Sequence, residues 1–512
     1  SPSLTAAQRA QIERDFLLLE AEDIQTHRIA ANQQCEINAA SGTAAINAQN
    51  WYLAARAFTG TYGLFDQIEF TFSEEGFSRE NELAYHFASV GPIVEQGQVY
   101  EALGGHFWTP RVKRIFDAPL ASSPIGDPGY RTGYAEAYAH YQDPAYLFPG
   151  GDTPLSNSVL PLAGRTTLRR GTVADPRWMQ IMWGSPTWRG GRDMLNYLTP
   201  LNTSITRISY GAKLPTPYLS YSTLGGNVPE VDGLQETGVR PRQVFLQGDD
   251  LPAAKYVAPR QRAMYPGVGL SRVCAIVDEV YVIVDRLSSA GGAGRVAGDA
   301  REEPGPARRF SFSFYPGGSV KGAWALPQTL SRAAGEGGPP QGDRVGADQP
   351  LTFTPYEKFW EEGATYKAFS NPTRAPLPVA QATQTLAGWT LDYLTEKKQP
   401  ARLHVLLDGE GEVLQGLVWN IWNPVQQPGF LTRRTAPAVA CVHVLEPGPE
   451  YPLEDLQVLP LAVDGKPVPL WQGLAVSLTL PSGKYLLIDS DLPGLKSAAG
   501  VSTEETLYLA KL

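Results

Sequence analysis

The sequence predicts an α+β multidomain protein, with helices in its N-terminal part and antiparallel sheets after them. Apolar residues recur with a helical period from Thr5 to about Phe116, and the period changes to that of strands after the segment DPAYLFPGGDTPLSNS. The 512 residues exceed what one hydrophobic core organises, and 51 glycines with 43 prolines indicate much sheet and loop. We therefore expect a helical domain over 1–145, a central antiparallel β-sandwich over 146–400 and a C-terminal sheet portion over 401–512.

Capping and spacing predict the helices. Residues 5–8, TAAQ, form a capping box, and Ile12, Phe16 and Leu19 then recur at i, i+4 and i+7 on one helix face. About five helices do not complete a domain, which favours a missing upstream partner. The further predicted helices cover roughly 28–57, 61–71, 79–103 and 106–117.

Alternating apolar residues predict the strands. RVCAIVDEVYVIVDRL (272–287) is expected to form two strands joined at Asp278 and Glu279, and ARLHVLLDGEGEVLQGLVWNIW (401–422) a hairpin that turns at DGEG. Such hairpins continue to the C-terminus, which favours sheets packed as a sandwich. The flexible Gly/Pro-rich insertion near 288–350 is expected to contain one strand, FSFSFYP, and its stretch GGAGRVAG is expected to be a surface loop, since it lacks the strand, helix and Lys-Ser/Thr of a phosphate loop.

Composition excludes several function classes. A net charge of −9 argues against a general nucleic-acid binder, and no apolar run is long enough to span a membrane. The three cysteines include no CxxC pair, and the six histidines include no HExxH or HxH pattern, so neither a disulfide framework nor a standard zinc site is expected. GxSxG is absent as well. We expect no metal and no cofactor.

Two helical segments carry unusual polar residues. In EEGFSRENELAYHFASVGPI (74–93), Glu82 precedes Tyr85 by three residues and His86 by four, so these side chains can neighbour one another on the helix. The alternative is a solvated acidic first turn. In IAANQQCEIN (29–38), Asn32 and Gln33 interrupt an apolar helix, and structural hydrogen bonds of buried amides would also explain them.

A third unusual stretch is the turn WRGGRDMLN (188–196), between WMQIMWGSPT and YLTPLNTSITRISYG, which are predicted strands. It places Arg189 and Arg192 beside Trp188. Either the arginines form a turn salt-bridged to Asp193, or they form a rim that meets an acidic ligand.

Taken in order, these segments resemble the heparinase II/III-like polysaccharide lyases, which join an α/α toroid to antiparallel β-sandwich domains. NQQCEINAA resembles the Asn-His helix segment of that family, EEGFSRENELAYHF its Tyr-His segment, PIGDPGY the segment after the helical domain, and GGNVPEVDGLQ and RTAPAVACVHVLEP its later strands. The resemblance covers about residues 28–447. It implies an incomplete toroid here, which a partner chain or an N-terminal portion elsewhere would complete.

The resemblance also implies a reaction and its residues. Such lyases cleave uronic-acid polysaccharides by β-elimination, which requires neutralisation of the uronate carboxylate, a base for the C5 proton and an acid for the leaving oxygen. Asn32 would bind the carboxylate and Tyr85 would be base, acid or both. Because the reference pKa of tyrosine is about 10, a base role needs nearby cations.

The chain differs from the family at positions where the family has histidines. Arg189 takes the place of a catalytic histidine, and Gln33 stands where a second one is common. Gly191 and Gly226 replace zinc-ligand histidines, and Ser209 replaces the usual aspartate. These joint replacements favour the loss of a whole zinc site.

Two functions follow. One is a metal-independent lyase in which Arg189 and Arg192 bind carboxylate and favour the Tyr85 phenolate, with His86 or His106 as a helper. The other is a catalytically inactive lyase-like protein that binds acidic glycan or a partner protein.

Further candidate residues complete the predicted site. Trp188 would stack on a sugar face or anchor its turn, Glu80 and Glu82 would bind sugar hydroxyls or orient Tyr85, and His106 would approach the cleft or cap a helix. His404 and His443 alternate with apolar residues and are expected to be structural. An acidic polysaccharide partner implies a secreted or periplasmic protein.

Overall fold

A computed structural model describes the protein in two compact units, which are drawn from Ser1–Thr153, Ser158–Thr166 and Gly184–Asn202 and from Pro154–Asn157, Thr167–Trp183 and Thr203–Leu512. The residues that it describes are 3–24, 32–78, 83–122, 131–148, 150–183, 208–210, 229–232, 242–248, 250–258, 265–289, 305–314, 320–325, 353–356, 379–394, 400–419, 426–448 and 452–512.

The described part of the first unit is mainly helical. Its α-helices are α1 (Ala6–Ile12), α2 (Leu18–Ile24), α3 (Asn32–Asn47), α4 (Trp51–Thr59), α5 (Leu64–Phe70), α6 (Leu83–Ala102), α7 (Pro110–Ser122) and α8 (Tyr134–Tyr141). A π-helical turn (Glu13–Leu17) joins α1 to α2, and a 3₁₀ turn (Pro144–Leu147) follows α8. The helices share an apolar core that includes Phe58, Phe72, Phe107 and Phe116.

The predicted capping box at the first helix is confirmed. The Thr5 hydroxyl accepts a hydrogen bond from the Gln8 N–H at 3.2 Å, and the Gln8 side chain accepts one from the Thr5 N–H at 2.9 Å. The apolar stripe that follows is exposed, with Phe16 60% accessible, whereas Ala21 is buried. The intervening π turn adds a residue to one turn and so rotates the stripe relative to a regular helix.

One predicted helix is two in the structure. The prediction over 28–57 is interrupted after α3, where Gln49 adopts a positive φ of 55°. The Asn50 side chain then accepts a hydrogen bond from the Leu53 N–H at 3.1 Å and caps α4. This local turn chemistry breaks an otherwise continuous helical pattern.

The strands begin near the end of the helical unit. They are β1 (Ser158–Leu160), β2 (Arg165–Gly171), β3 (Pro176–Met182), β4 (Ile208–Tyr210), β5 (Pro229–Val231), β6 (Arg242–Leu246), β7 (Ala253–Ala258), β8 (Val268–Val277), β9 (Val280–Ser289), β10 (Arg308–Phe314), β11 (Val320–Ala325), β12 (Phe353–Tyr356), β13 (Val379–Leu394), β14 (Pro400–Trp419), β15 (Gln426–Ala436), β16 (Ala438–Pro447), β17 (Asp455–Val463), β18 (Lys466–Val468), β19 (Gly473–Leu480), β20 (Gly483–Ser490), β21 (Lys496–Ala498), β22 (Val501–Thr503) and β23 (Leu507–Lys511).

Antiparallel sheets make up the second unit, as the sequence predicts. Strands β5 to β16 form one large sheet with the order β5-β10-β15-β14-β16-β9-β8-β7-β6, in which β13 pairs with β11, β12 and β14. Strands β17 to β23 form a smaller C-terminal sheet, and β2, β3 and β4 are neighbours in a further sheet. Strands β14 to β16 therefore belong to the same sheet as the central strands β7 to β9.

The large sheet is buried on both faces. Alternate residues of β8 face opposite sides, so Cys274 and Ile276 pack with Met179 of β3, whereas Val273 and Ala275 pack with Val476 of β19. The second unit thus has three layers. All three cysteines are buried and unbonded, as expected of small apolar residues.

The hairpin predicted over 272–287 is confirmed, with β8 and β9 joined at Asp278 and Glu279. The hairpin predicted over 401–422 is wrong, because DGEG lies inside the continuous strand β14. β14 changes partners at this point: residues up to Leu407 pair with β16, and residues from Glu412 pair with β15. Glycine at position 411 allows the backbones of β14 and β15 to approach closely, since a Cβ there would lie 2.5 Å from the Arg433 carbonyl oxygen.

Within the described ranges, no helix is both long and apolar enough to cross a membrane.

Candidate active site

The candidate site residues Asn32 and Tyr85 lie on neighbouring helices. Asn32 is the first residue of α3 and Tyr85 the third residue of α6, and both side chains are partly exposed. Gln96 of α6 joins these helices by donating a hydrogen bond to the Asn38 carbonyl oxygen of α3 at 3.3 Å and another to the Ala57 carbonyl oxygen at 2.9 Å. An amide and a phenol thus stand near the starts of two packed helices.

Two other amides of α3 have the structural role that the sequence left open for Asn32 and Gln33. The buried Gln34 donates to Asn38 Oδ1 at 2.9 Å, and the buried Asn38 donates to the Tyr62 carbonyl oxygen at 2.6 Å. Gln33 is exposed. The buried-amide interpretation is therefore wrong for Asn32 and Gln33, because helix packing turns a different face of α3, the one that carries Gln34 and Asn38, inward.

His86 occupies the helical core. Its Nδ1 accepts a hydrogen bond from the Ser78 N–H at 3.1 Å, and its Nε2 lies 3.0 Å from the Ile115 carbonyl oxygen, to which a neutral ring with the proton on Nε2 donates. Burial lowers the pKa of His86 to about 3. The ring is completely buried, and backbone groups occupy both nitrogens. This placement contradicts a role for His86 in contacting substrate.

Beside His86 lies a buried cation that the sequence did not single out. The Arg165 guanidinium lies 4.3 Å from the ring centroid of Phe77, and that ring stacks on His86 with centroids 5.2 Å apart. Burial lowers the pKa of Arg165 to about 9, so the group stays protonated at neutral pH. The segment LPLAGRTTLRRG has three arginines in a strand, which is the only sequence signal for it.

Glu75 holds the turn that precedes Arg165. Its carboxylate accepts hydrogen bonds from the N–H groups of Leu162 and Ala163, both at 3.0 Å. Burial raises the pKa of Glu75 above its usual value, although these two hydrogen bonds oppose the shift. Glu75 therefore positions the chain that carries Arg165.

His106 lies on the surface, after the Gly-Gly turn that the sequence indicated. Its side chain is 78% exposed, and Nδ1 is 3.8 Å from the Glu101 carboxylate. Thr109, the residue before α7, holds the capping position instead. Its hydroxyl accepts a hydrogen bond from the Val112 N–H at 3.4 Å. His106 therefore does not cap that helix.

The remaining candidates Glu80, Glu82, Trp188, Arg189 and Arg192 lie outside the described residues, as do the turn residues Gly191 and Asp193 and the position Gly226. Ser209 lies in β4 and pairs with Gln180 of β3. The two strands predicted on either side of the charged turn are thus present as β3 and β4.

The predicted structural histidines of the sheets are confirmed. His443 is buried in the large sheet, and burial lowers its pKa to about 4. His404 Nε2 lies 2.6 Å from the buried Glu446 carboxylate, and its Nδ1 lies 3.2 Å from the Thr390 hydroxyl. These contacts hold neighbouring strands together.

The described residues offer no ready metal site, since none of their His, Cys, Asp and Glu side chains cluster in threes or more around a common point. At the positions where the resemblance implies metal ligands, Gly191 and Gly226 have no donor side chain, and Ser209 has a hydroxyl in place of a carboxylate. These residues do not fit a zinc ion.

Comparison with known proteins supports the fold. No protein-family model matches the chain, and no protein of curated function matches it in sequence. Among solved structures, it is similar to a heparinase III gene product with a TM-score of 0.56 and 11% identity, over 92% of this chain and 68% of that one. A mutant of the heparan sulfate lyase HepC from Pedobacter heparinus matches with a TM-score of 0.50 and 12% identity, over 91% and 68% of the two chains. The protein therefore has a polysaccharide lyase-like fold, in which a helical domain is followed by antiparallel sheets.

Proposed function

We propose that the protein is a metal-independent polysaccharide lyase that cleaves uronic-acid-containing glycan by β-elimination. The observation that carries this proposal is a partly exposed tyrosine, Tyr85, on a helix packed against the helix of Asn32, in a fold shared with heparinase III. The buried histidine next to Tyr85 leaves the phenol as the proton-transfer group of this helix.

The reaction needs one base, one acid and one carboxylate partner. The Asn32 amide would donate a hydrogen bond to the uronate carboxylate, which makes the C5 proton more acidic. The Tyr85 phenolate would take that proton, the C4–O4 bond would break as the C4–C5 double bond forms, and the phenol would then protonate the leaving O4. Arg189 and Arg192 would bind the carboxylate and favour the phenolate.

The other candidate groups would serve substrate binding. Gln33, which is exposed at the start of α3, and Glu80 and Glu82 would meet sugar hydroxyls, and Trp188 would stack on a sugar face. His106 would contact an extended substrate at the surface. A polymer of this kind implies a secreted or periplasmic protein.

Replacing the phenol tests the proposal. With a panel of uronic-acid polymers as substrates, we expect the ultraviolet absorbance of the unsaturated uronate to rise with the wild type. Tyr85→Phe should slow it by about 10²–10⁴-fold, the contribution usual for general acid–base groups. Tyr52→Phe is the matched control, because Tyr52 is 72% exposed on α4 and has no proposed role.

A second function rests on a separate observation. The family that the chain resembles has histidines at three positions where this chain has Arg189, Gly191 and Gly226. His86 is buried in the core. A glycan-binding protein without catalysis would tolerate these changes. Absence of product from every polymer, together with glycan affinity that Tyr85→Phe leaves unchanged, would favour this second function over the lyase.

A further inference from the structure

Three hairpin turns of the second unit meet at a pocket of about 370 Å³. The strand ends on either side of the β2–β3 turn contribute Arg170 and Arg177, the turn between β8 and β9 contributes Asp278 and Glu279, and the turn between β19 and β20 contributes Ser482. These turns come from all three layers. Residues brought together from separate layers at one end of a sandwich are a common setting for a binding site.

Ion pairs organise the wall of the pocket. Arg177 is largely buried, and its guanidinium bridges Asp175, at 2.6 Å, and Glu279, to which its Nε donates at 2.7 Å. Arg170 pairs with Asp278, which also accepts hydrogen bonds from the hydroxyls of Ser482 and Tyr485. The charged side chains are therefore held in place before any ligand arrives, which lowers the entropy lost on binding.

Two backbone conformations maintain this arrangement. Asp278 adopts a positive φ of 48°, which is unusual for a residue other than glycine. Gly171 has a φ of 86°, and a Cβ there would lie 2.5 Å from the Asp175 carbonyl oxygen, so only glycine permits the turn to close on Asp175. Uncommon backbone conformations of this kind often occur at ligand sites.

The pocket keeps hydrogen-bonding capacity toward a ligand. Arg170 lines it, and the side chain of this arginine stays 29% exposed beside its ion pair with Asp278. The side chains of Asp175 and Glu279 are 66% and 50% exposed. The wall therefore presents both a donor and acceptors, beside the apolar surface of Pro452, Leu480 and Pro481.

The balance of these groups selects the ligand class. Three carboxylates face two guanidinium groups, which disfavours an anion, and the three carboxylates do not form a metal-binding group in the described structure. Vicinal hydroxyls can accept from an arginine and donate to a carboxylate at the same time, and the C–H face of a sugar ring fits an apolar wall. We propose that this turn pocket binds a neutral sugar residue of a glycan.

Direct binding measurements test the turn pocket. Saturation-transfer NMR and calorimetry with maltose, cellobiose and lactose should detect binding of at least one sugar. Glu279→Gln should weaken that binding at least tenfold, because it removes a charged acceptor without changing the size of the side chain. Ser482→Trp should abolish it by filling the pocket, whereas Ser502→Trp, on an exposed residue of β22, should leave it unchanged.

The outcomes separate this site from the lyase proposal. Tyr85→Phe should leave neutral-sugar binding intact, and the pocket variants should keep the unfolding midpoint of the wild type within a few degrees. Failure of all three sugars to bind, or equal binding by wild type and Ser482→Trp, would overturn the proposal. Tighter binding of glucuronate, sulfate or Ca²⁺ than of any neutral sugar would overturn the ligand class.

Discussion

Single residues of the helical unit illustrate how burial changes the meaning of a sequence pattern. Tyr85 and His86 are adjacent, and the sequence places both near Glu82 on a helix surface. In the structure the tyrosine is partly exposed, whereas the histidine is enclosed by Phe72, Phe77 and Phe87, whose ring centroids lie 5.1–5.2 Å from its own. Neighbours in a helix point about 100° apart, so one can meet solvent while the other fills the core.

His86→Gln should destabilise the helical unit without changing the affinity for substrate. The variant loses the ring packing and one buried hydrogen bond, which together cost about 2–4 kcal/mol of unfolding free energy. Urea unfolding would measure this loss, and His106→Gln, on an exposed side chain, should stay within about 0.5 kcal/mol of the wild type. A raised KM in folded His86→Gln would instead restore its predicted contact with substrate.

At the scale of elements, an ion network links the large sheet to the C-terminal sheet. Asp489 of β20 accepts from Lys255 of β7 at 2.7 Å and from Arg286 of β9 at 2.6 Å, and all three side chains are buried. Asp491 lies next to the same cations. Burial raises its pKa, but Arg286 and Lys255 outweigh this effect and bring it down to about 2.

Asp489→Asn should destabilise the second unit by about 3–5 kcal/mol, because it leaves two buried cations with one carboxylate fewer. Equilibrium unfolding in urea would measure the change. The control is Asp455→Asn, on an exposed aspartate at the start of β17. An equally small effect of both substitutions would mean that the network adds little to the docking of the two sheets.

Strand β14 shows that the pairing partners of a strand are not predictable from its local sequence. The residues DGEG are typical of a hairpin turn, yet here they mark the point where one strand leaves β16 and joins β15. The Asp408 carboxylate pairs with Arg434 of β15 at this point. Partner choice between strands depends on residues far away in sequence, so a local turn pattern cannot decide it.

For the whole molecule, the two buried histidines predict how stability depends on pH. His86 in the first unit has a pKa of about 3 and His443 in the second about 4, both below the reference of about 6.5. At any pH between the pKa of the folded histidine and the reference value, the unfolded chain binds a proton that the folded chain does not. Stability is therefore complete above about pH 6.5 and declines as the pH falls toward 3.

Each histidine should contribute a slope of up to about 1.4 kcal/mol per pH unit in this window. Urea unfolding between pH 4 and 7 would measure the slope of each unit. His86→Gln should flatten it for the helical unit and His443→Gln for the sheet unit, whereas His106→Gln should not. Unchanged slopes in both variants would contradict the assignment of these histidines as buried and neutral.

The sequence by itself determined the type of most elements, because the capping box at Thr5, the helical spacing and the strand alternation of β8 and β9 are local patterns. It also determined the polysaccharide lyase-like fold through ordered motifs. Only the tertiary structure decided that His86 lies in the core beside Arg165, that Gln34 and Asn38 are the buried amides of α3, and that three turns form a pocket. Burial and contact of this kind come from packing between segments far apart in the chain, and no local pattern records them.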